Sequence, residues 1–182
     1  MLRIIAGKLR SRKLDQPPIT ITRATKDRVR EAVFSSLQQK VIGATVLDLF
    51  SGSGAYAIEA YSRGAGKICL NDNHPLAQIS IKKNLNQLGI QNAMLLALEA
   101  MDCLRYLKAK NLTFDLIFLD PPYADDRLAQ IISWIIDERL LNEKGVIVTE
   151  QEKDLSLFPK DNFITKAYNY GRTYIQIGWK QT

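Results

Sequence analysis

The chain has 182 residues, of which 46% are hydrophobic, and this length and composition suit one globular domain with an ordinary core. Its two cysteines do not have the spacing of metal ligands, so we expect no bound metal. We expect both thiols to be reduced, as is usual in the cytoplasm, and the protein to be cytoplasmic. No run approaches the roughly twenty apolar residues of a membrane span, so we expect no contact with a membrane.

The amino-terminal segment holds most of the unbalanced positive charge. Residues 1–30 contain nine of the 25 lysines and arginines and only two acids, in a chain of net charge +6. Such a concentration of cations indicates a polyanionic partner. The cations alternate with apolar residues, which favours a structured hairpin over a solvated tail or a transit peptide. We predict that eight basic residues contact this polyanion: Arg3, Lys8, Arg10, Arg12, Lys13, Arg23, Arg28 and Arg30.

Helical and strand patterns alternate after Pro17-Pro18. Apolar residues at helical spacing predict helices at 26–39, 55–63, 75–88, 101–108 and 127–138. Short apolar runs predict strands at 45–50, 67–71, 93–98, 114–119, 145–150, 163–169 and 173–179. This order predicts an α/β fold with a seven-stranded, mostly parallel sheet, and the last two strands predict a carboxyl-terminal antiparallel hairpin.

A glycine motif follows the first strand of this sheet. Gly52-Ser53-Gly54-Ala55-Tyr56-Ala57 matches the pattern G-x-G-x-x-G/A, in which the glycines allow a tight turn and close approach of a ligand to the backbone. Asp72 lies twenty residues after Gly52, at the end of the next apolar run. An acid at this place accepts hydrogen bonds from ribose hydroxyls. Strand, turn, helix, strand and acid in this order predict a site for a nucleotide-containing cofactor.

A second motif, Asp120-Pro121-Pro122-Tyr123, follows the apolar run 114–119. Ligands of open α/β sheets bind at the carboxyl ends of the strands, so this position favours a functional loop. A carboxylate and nearby main-chain carbonyls can accept hydrogen bonds from one amino group, and Tyr123 can stack on a planar ring. The motif therefore predicts a site for an amine on a flat, aromatic substrate.

The two motifs together resemble the class I methyltransferases that depend on S-adenosylmethionine. More closely, the chain resembles the RsmD-type bacterial small-subunit rRNA guanine-N2 methyltransferases. The similar segments are 3–7, 12–14, 25–31, 46–65, 115–123 and 170–173. The chain departs from the family pattern at Ala57, Asp72 and Arg172, where the family usually has glycine, glutamate and an acid.

The resemblance implies a Rossmann-like methyltransferase domain at 25–182, preceded by a basic RNA-binding arm at 1–24. It implies S-adenosylmethionine as cofactor, with S-adenosylhomocysteine as product, and small-subunit rRNA or a partly assembled 30S subunit as partner of a monomer. The implied catalytic residues are Asp120, Pro121, Pro122 and Tyr123. The implied cofactor-binding residues are Asp48, Phe50, Gly52, Ser53, Gly54, Asp72, Asn73, Glu99 and Ala100.

Several alternatives remain open at this point. Asp-Pro-Pro-Tyr also suits a DNA adenine-N6 methyltransferase, although no separate DNA-reading segment follows it. A protein-amide methyltransferase would typically have Asn in place of Asp120. A catalytically silent RNA-binding module would have no need of both motifs. Glu99 can instead be an acid that stabilises the start of a helix, and Glu150 either orients the pocket or lies at the surface.

Overall fold

The computed structural model describes residues 2–18, 27–122, 127–152 and 157–181. Its helices are α1 (Asp27–Leu37), α2 (Ala55–Ser62), α3 (Pro75–Gln87), α4 (Ala100–Ala109) and α5 (Leu128–Asp137), with a 3₁₀ turn at Gln38–Val41 after α1. Its strands are β1 (Leu2–Arg3), β2 (Lys13–Leu14), β3 (Thr45–Asp48), β4 (Lys67–Asn71), β5 (Met94–Leu96), β6 (Phe114–Leu119), β7 (Leu141–Gln151), β8 (Phe163–Tyr170) and β9 (Thr173–Lys180).

The main sheet has seven strands in the order β5-β4-β3-β6-β7-β9-β8. Strands β3 to β7 are mutually parallel, whereas β9 is antiparallel to both β7 and β8. This topology confirms the predicted α/β fold with its closing hairpin. Strand β7 begins earlier than predicted, at Leu141, because Phe114 pairs with Leu141 before a register shift leads to the pair Leu116 and Val146.

Helices cover both faces of the sheet. Along β3, Val46 belongs to a core cluster with α1, α2 and α3, while its neighbour Leu47 belongs to a second cluster with α4 and α5. Strand β6 alternates in the same way, which explains why its sequence is a continuous apolar run. Cys69 and Cys103 are buried free thiols, as expected. None of the helices in these described segments is long and apolar enough to cross a bilayer.

The basic amino-terminal segment forms the predicted hairpin, and this hairpin is packed into the core. Strands β1 and β2 pair through Leu2 with Leu14, and both side chains are buried. Buried Glu59 of α2 accepts hydrogen bonds from the backbone nitrogens of Ile5 and Ala6, at 2.8 and 3.0 Å. The hairpin is thus fixed to α2. The predicted boundary between arm and domain, at residues 24 and 25, lies outside the described residues.

Gly7 makes this docking possible. Its φ of +82° is a left-handed conformation, and a Cβ atom here would lie 1.9 Å from the carbonyl oxygen of Ser62 at the end of α2. The same oxygen accepts a hydrogen bond from the Lys8 nitrogen at 2.8 Å. The turn of the hairpin therefore lies at the carboxyl end of α2.

Candidate active site

The predicted site residues converge where the parallel strands end. We call the carboxyl ends of β3 to β7 the carboxyl edge. The glycine loop leaves β3, Asp72 follows β4, Glu99 follows β5 and Asp120 follows β6. Their meeting at one edge is a consequence of the parallel pairing of these strands.

The glycine loop turns sharply at two left-handed residues, Gly52 with φ +55° and Gly54 with φ +80°. A Cβ atom at Gly54 would lie 2.9 Å from the Leu70 side chain. The Gly52 nitrogen donates to Asp72 Oδ2 at 2.8 Å, and the other Asp72 oxygen accepts from the His74 nitrogen at 2.9 Å. The hydrogen bond to Gly52 fixes the glycine loop to Asp72, and the Asp72 side chain is half-buried beside that loop.

Asp48 lies beneath this loop and is almost fully buried. Its Oδ2 accepts a hydrogen bond from the Ala57 nitrogen at 3.2 Å. Burial, with the nearby negative charge of Asp72, raises the pKa of Asp48 from 3.8 to about 7. Ala57 is completely buried, in agreement with the prediction that a small residue is needed where α2 packs on the sheet.

Two buried oxygens at the carboxyl edge have no donor among the described residues. They are Asp48 Oδ1 and Gln151 Oε1, the latter at the end of β7. A buried acceptor without a donor is costly, and a ligand that donates hydrogen bonds removes that cost. The residues around Asp48 therefore fit a cofactor that brings polar, hydrogen-bonding groups to this edge.

Asn71 ties three strand ends together, and sequence analysis did not identify it. Its amide nitrogen donates to the carbonyl oxygens of Leu49 and Leu98, at 3.1 and 3.0 Å, and its side-chain oxygen accepts from the Leu98 nitrogen at 3.1 Å. The Asn71 nitrogen also donates to the Ser51 hydroxyl. Asn71 thus positions the loops after β3 and β5 relative to each other. The only sequence signal is a polar residue at the end of an apolar strand.

Glu99 caps α4, which is the structural role that sequence analysis left open for it. Its Oε2 accepts from the Met101 nitrogen at 2.8 Å, and its Oε1 accepts from Arg127 at 2.9 Å. Partial burial raises the pKa of Glu99, but the hydrogen bonds from Met101 and Arg127 outweigh burial and lower it overall. Glu99 therefore lies at the carboxyl edge as an ionised carboxylate. A carboxylate can accept several hydrogen bonds, so Glu99 can cap α4 and also accept a hydrogen bond from a ligand.

The other predicted cofactor-binding residues line the same loops. Phe50 packs against the second core cluster, Ala100 is the buried first residue of α4, and Asn73 is exposed. Ser53 is buried, and its carbonyl oxygen accepts a hydrogen bond from Asn84 at 2.9 Å.

Asp120 and the two prolines leave the end of β6 directly. Asp120 is half-buried, Pro121 is buried and Pro122 is exposed. The register of β6 and β7 pairs Leu119 with Thr149, so Asp120 and Glu150 occupy the next positions on the two neighbouring strands. Tyr123 lies outside the described residues.

Glu150 belongs to a buried polar cluster, so it does not lie at the surface. Its Oε2 accepts a hydrogen bond from the Tyr56 hydroxyl at 3.1 Å, and the Tyr56 ring stacks on Phe118 with centroids 4.6 Å apart. Burial and the negative charges of Glu150 and Asp120 raise the pKa of Tyr56 well above its ordinary value, while the cation of Arg30 acts in the opposite direction. Carboxylates, phenol and guanidinium therefore interact electrostatically at the carboxyl edge.

Arg30 does not suit the RNA contact predicted for it. Its side chain is fully buried and donates to the Arg3 carbonyl oxygen at 2.6 Å and to Asp27 at 3.1 Å. Spacing alone could not reveal this, because Arg30 lies in a run of charged residues that also contains the exposed Arg28 and Glu31. Arg30 is therefore a structural cation beneath the site.

The remaining predicted RNA-contacting residues within the described segments are exposed. Arg3 pairs with Asp27 at 3.2 Å, the Lys8 ammonium lies 3.6 Å from the Tyr61 ring centroid, and Arg12 donates to the Gln87 carbonyl oxygen. The others are Arg10, Lys13 and Arg28. Arg23 lies outside the described residues.

The whole chain matches known proteins in sequence and structure. The model of the family described as conserved hypothetical protein 95 matches residues 2–179. Ribosomal RNA small subunit methyltransferase D of Escherichia coli strain K12 is 35% identical, with 86% of this chain and 77% of that protein covered. The solved structure of yhhF from Escherichia coli has a TM-score of 0.86 at 31% identity, with 100% of this chain and 98% of that chain covered.

A more distant structure shares the fold alone. An rRNA methylase from Streptococcus thermophilus has a TM-score of 0.67 at 14% identity, with 87% of this chain and 100% of that chain covered. The sequence matches, which extend over nearly the full length, decide the family. The chain therefore belongs to the conserved hypothetical protein 95 family, together with the ribosomal RNA small subunit methyltransferases D.

Proposed function

We propose that this protein transfers a methyl group from S-adenosylmethionine to the exocyclic N2 amine of a guanine in small-subunit rRNA. The observation that supports this most directly is the convergence of Asp120-Pro121-Pro122 with the glycine loop and Asp72 at one sheet edge. Relatives named as ribosomal RNA small subunit methyltransferases indicate the substrate class.

The cofactor is held by the loops after β3, β4 and β5. Gly52 and Gly54 have no side chains, so a ligand can approach the backbone closely at these two positions. Asp72 accepts hydrogen bonds from the ribose hydroxyls, and Asp48 offers its second oxygen as an acceptor. Phe50, Ser53, Asn73, Glu99 and Ala100 complete the lining. Bound S-adenosylmethionine supplies a methyl group that its sulfonium centre has already activated.

Asp120 and the Pro121 carbonyl accept hydrogen bonds from the amino group that is methylated. The lone pair of an exocyclic guanine amine is delocalised into the ring, so these acceptors are needed to localise it on nitrogen. Positive charge then develops on the nitrogen, and the Asp120 carboxylate stabilises that charge. Orientation of the amine toward the methyl group supplies much of the remaining acceleration. Pro122 stiffens the loop, and Tyr123 stacks on the base.

The partner is small-subunit rRNA, either free or in a partly assembled 30S subunit. The enzyme acts as a monomer in the cytoplasm and needs no metal ion. The base must leave its helix or come from an unpaired loop to enter the pocket. Arg3, Lys8, Arg10, Arg12, Lys13, Arg23 and Arg28 contact the RNA backbone. Buried Arg30 is not part of this surface.

The test is methyl transfer from labelled S-adenosylmethionine to undermethylated small subunits, followed by nucleoside analysis. Wild type should form N2-methylguanosine, and Asp120→Ala should lose this product while cofactor affinity and thermal unfolding remain close to wild type. Asp161→Ala is the matched control, because Asp161 is an exposed aspartate in the turn before β8. Adenine-containing DNA is offered in a parallel reaction, and label in its N6-methyladenine would instead support a DNA methyltransferase. Absence of transfer to either substrate despite cofactor binding would support a protein substrate or a silent RNA-binding module.

A further inference from the structure

Two neighbouring aromatic rings with a cation at each end form a strip along the edge strand β8 of the sheet. It consists of Arg28 of α1 and Tyr170, Tyr168 and Lys166 of β8, and we call it the aromatic strip. Every second residue of a strand faces the same side, so the three β8 side chains share one face. That face is the one on which α1 packs, because Tyr168 and Tyr170 both pack against the cluster that contains α1.

The contacts within the strip are specific. The Arg28 guanidinium lies 6.0 Å from the Tyr170 ring centroid, and the Lys166 ammonium lies 5.1 Å from that of Tyr168. The two tyrosine rings are 6.3 Å apart with 23° between their planes. The Tyr168 hydroxyl is hydrogen-bonded to Ser36 of α1 at 2.5 Å, which fixes the orientation of its ring.

An open groove of about 400 Å³ lies beside the strip. One wall is formed by α1 and the start of the 3₁₀ turn, with Ala32, Ser35, Ser36 and Gln38. The other wall is formed by β8 and β9, with Lys166, Tyr168 and Trp179. Strand β8 contains one basic residue and no acid. The groove therefore offers hydroxyl donors, aromatic surface and positive charge, a combination that suits phosphates and unpaired bases.

The strip begins at the carboxyl edge. Tyr170 pairs with Thr173 at the end of the closing hairpin, and the next residue, Tyr174, pairs with Gln151 at the end of β7. Tyr170 therefore lies at the edge that contains Asp120. Lys166 lies four residues back, about 13 Å along β8, a length that accommodates roughly two extended nucleotides.

The amino-terminal hairpin does not offer the same position. Its turn docks on the carboxyl end of α2, whereas the glycine loop lies at the amino end of that helix. The eight residues of α2 separate the two by about 12 Å. The hairpin meets the aromatic strip at Arg28, because Arg3 of the hairpin pairs with the neighbouring Asp27, and β8 extends this surface beyond the hairpin.

We propose that the aromatic strip binds an unpaired segment of the substrate RNA next to the methylated nucleotide, with bases stacked on Tyr168 and Tyr170 and phosphates at Arg28 and Lys166. This rests on the proposed function for the identity of the RNA. The binding itself follows from the strip's geometry and charge, so it is measurable even without turnover.

The experiment compares Tyr170→Leu with Tyr170→Phe in the full chain. The probes are an undermethylated small-subunit rRNA and a uridine homopolymer, with dissociation constants measured by fluorescence anisotropy. Stacking predicts that Tyr170→Leu weakens binding about 5- to 100-fold, while Tyr170→Phe stays within about twofold of wild type. Arg28→Gln should lower the slope of log K against log salt by about 0.7, as expected for one lost phosphate contact to a single strand. S-adenosylmethionine affinity and the melting temperature serve as controls for folding.

Unchanged RNA affinity in Tyr170→Leu would overturn the proposal, and so would equal losses in the Leu and Phe variants, because the hydroxyl rather than stacking would then matter. Assembled small subunits serve as a third probe. A loss of affinity in Tyr170→Leu with these subunits but not with protein-free rRNA would assign the strip to a ribosomal protein and would also overturn the proposal. Failure of the proposed function is a separate result: wild type would bind RNA through the strip but form no methylated nucleoside.

Discussion

The buried carboxyl group of Asp48 is expected to make the protein less stable as the pH rises. Burial and the charge of Asp72 raise the pKa of Asp48 from 3.8 to about 7. At pH values between these two, the folded protein keeps a proton on Asp48 that the unfolded chain has already released. About three pKa units correspond to roughly 4 kcal/mol in the free energy of unfolding. This stability is fully present below about pH 4 and is lost as the pH rises through about 7.

Urea unfolding of wild type and Asp48→Asn at several pH values measures this effect. Asparagine has nearly the same shape but does not titrate, so the difference between the two proteins cancels the contributions of the other carboxylates. Between about pH 5 and about pH 8, wild type should lose about 3 kcal/mol relative to Asp48→Asn. Asp161→Asn, which changes an exposed aspartate, should show no such trend.

A difference between wild type and Asp48→Asn that is constant with pH would refute the reasoning, because Asp48 would then titrate as an ordinary carboxyl group. Saturating S-adenosylmethionine brings positive charge to the proposed site, and this charge would lower the pKa of Asp48. We therefore expect the cofactor to flatten the pH trend.

Three substitutions test other parts of the structure. Gly7→Ala should reduce the free energy of unfolding by more than about 2 kcal/mol, because the new Cβ atom would collide with the backbone of α2. Gly89 also has a positive φ but lies in open space, so Gly89→Ala should lose only about 1 kcal/mol in the same urea titration. Tyr56→Phe removes the hydrogen bond that the phenol donates to Glu150, so it should lower the free energy of unfolding by about 1 to 3 kcal/mol and reduce methyl transfer. Unchanged kinetics would show that this pair does not act on the site. Asn71→Ala removes the hydrogen bonds to the Leu49 and Leu98 carbonyl oxygens, which position the loops after β3 and β5. Calorimetry should therefore detect weaker binding of S-adenosylmethionine, and an affinity equal to that of wild type would contradict the positioning role of Asn71.

The convergence of the two motifs could be predicted from the sequence because it depends on chain order and hydrophobicity. An apolar run that ends at Asp120, and another that leads into Gly52, place both segments at strand ends wherever the strands are parallel. The partners of these residues could not be predicted in this way. Asn71 and Glu150 look like ordinary polar residues at strand ends, and only the structure brings them to Leu98 and Tyr56.

The sequence by itself determined the α/β fold, the order of the elements, the glycine loop, the edge position of Asp120 and the basic character of the amino terminus. These features follow from local periodicity, turn chemistry and charge, which are properties of neighbouring residues. Only the tertiary structure decided that Arg30 is buried rather than exposed, that the basic hairpin is fixed to α2, and that Arg28 lies beside Tyr170. Those facts depend on contacts between residues far apart in the chain, and a one-dimensional pattern contains no record of which distant surfaces meet.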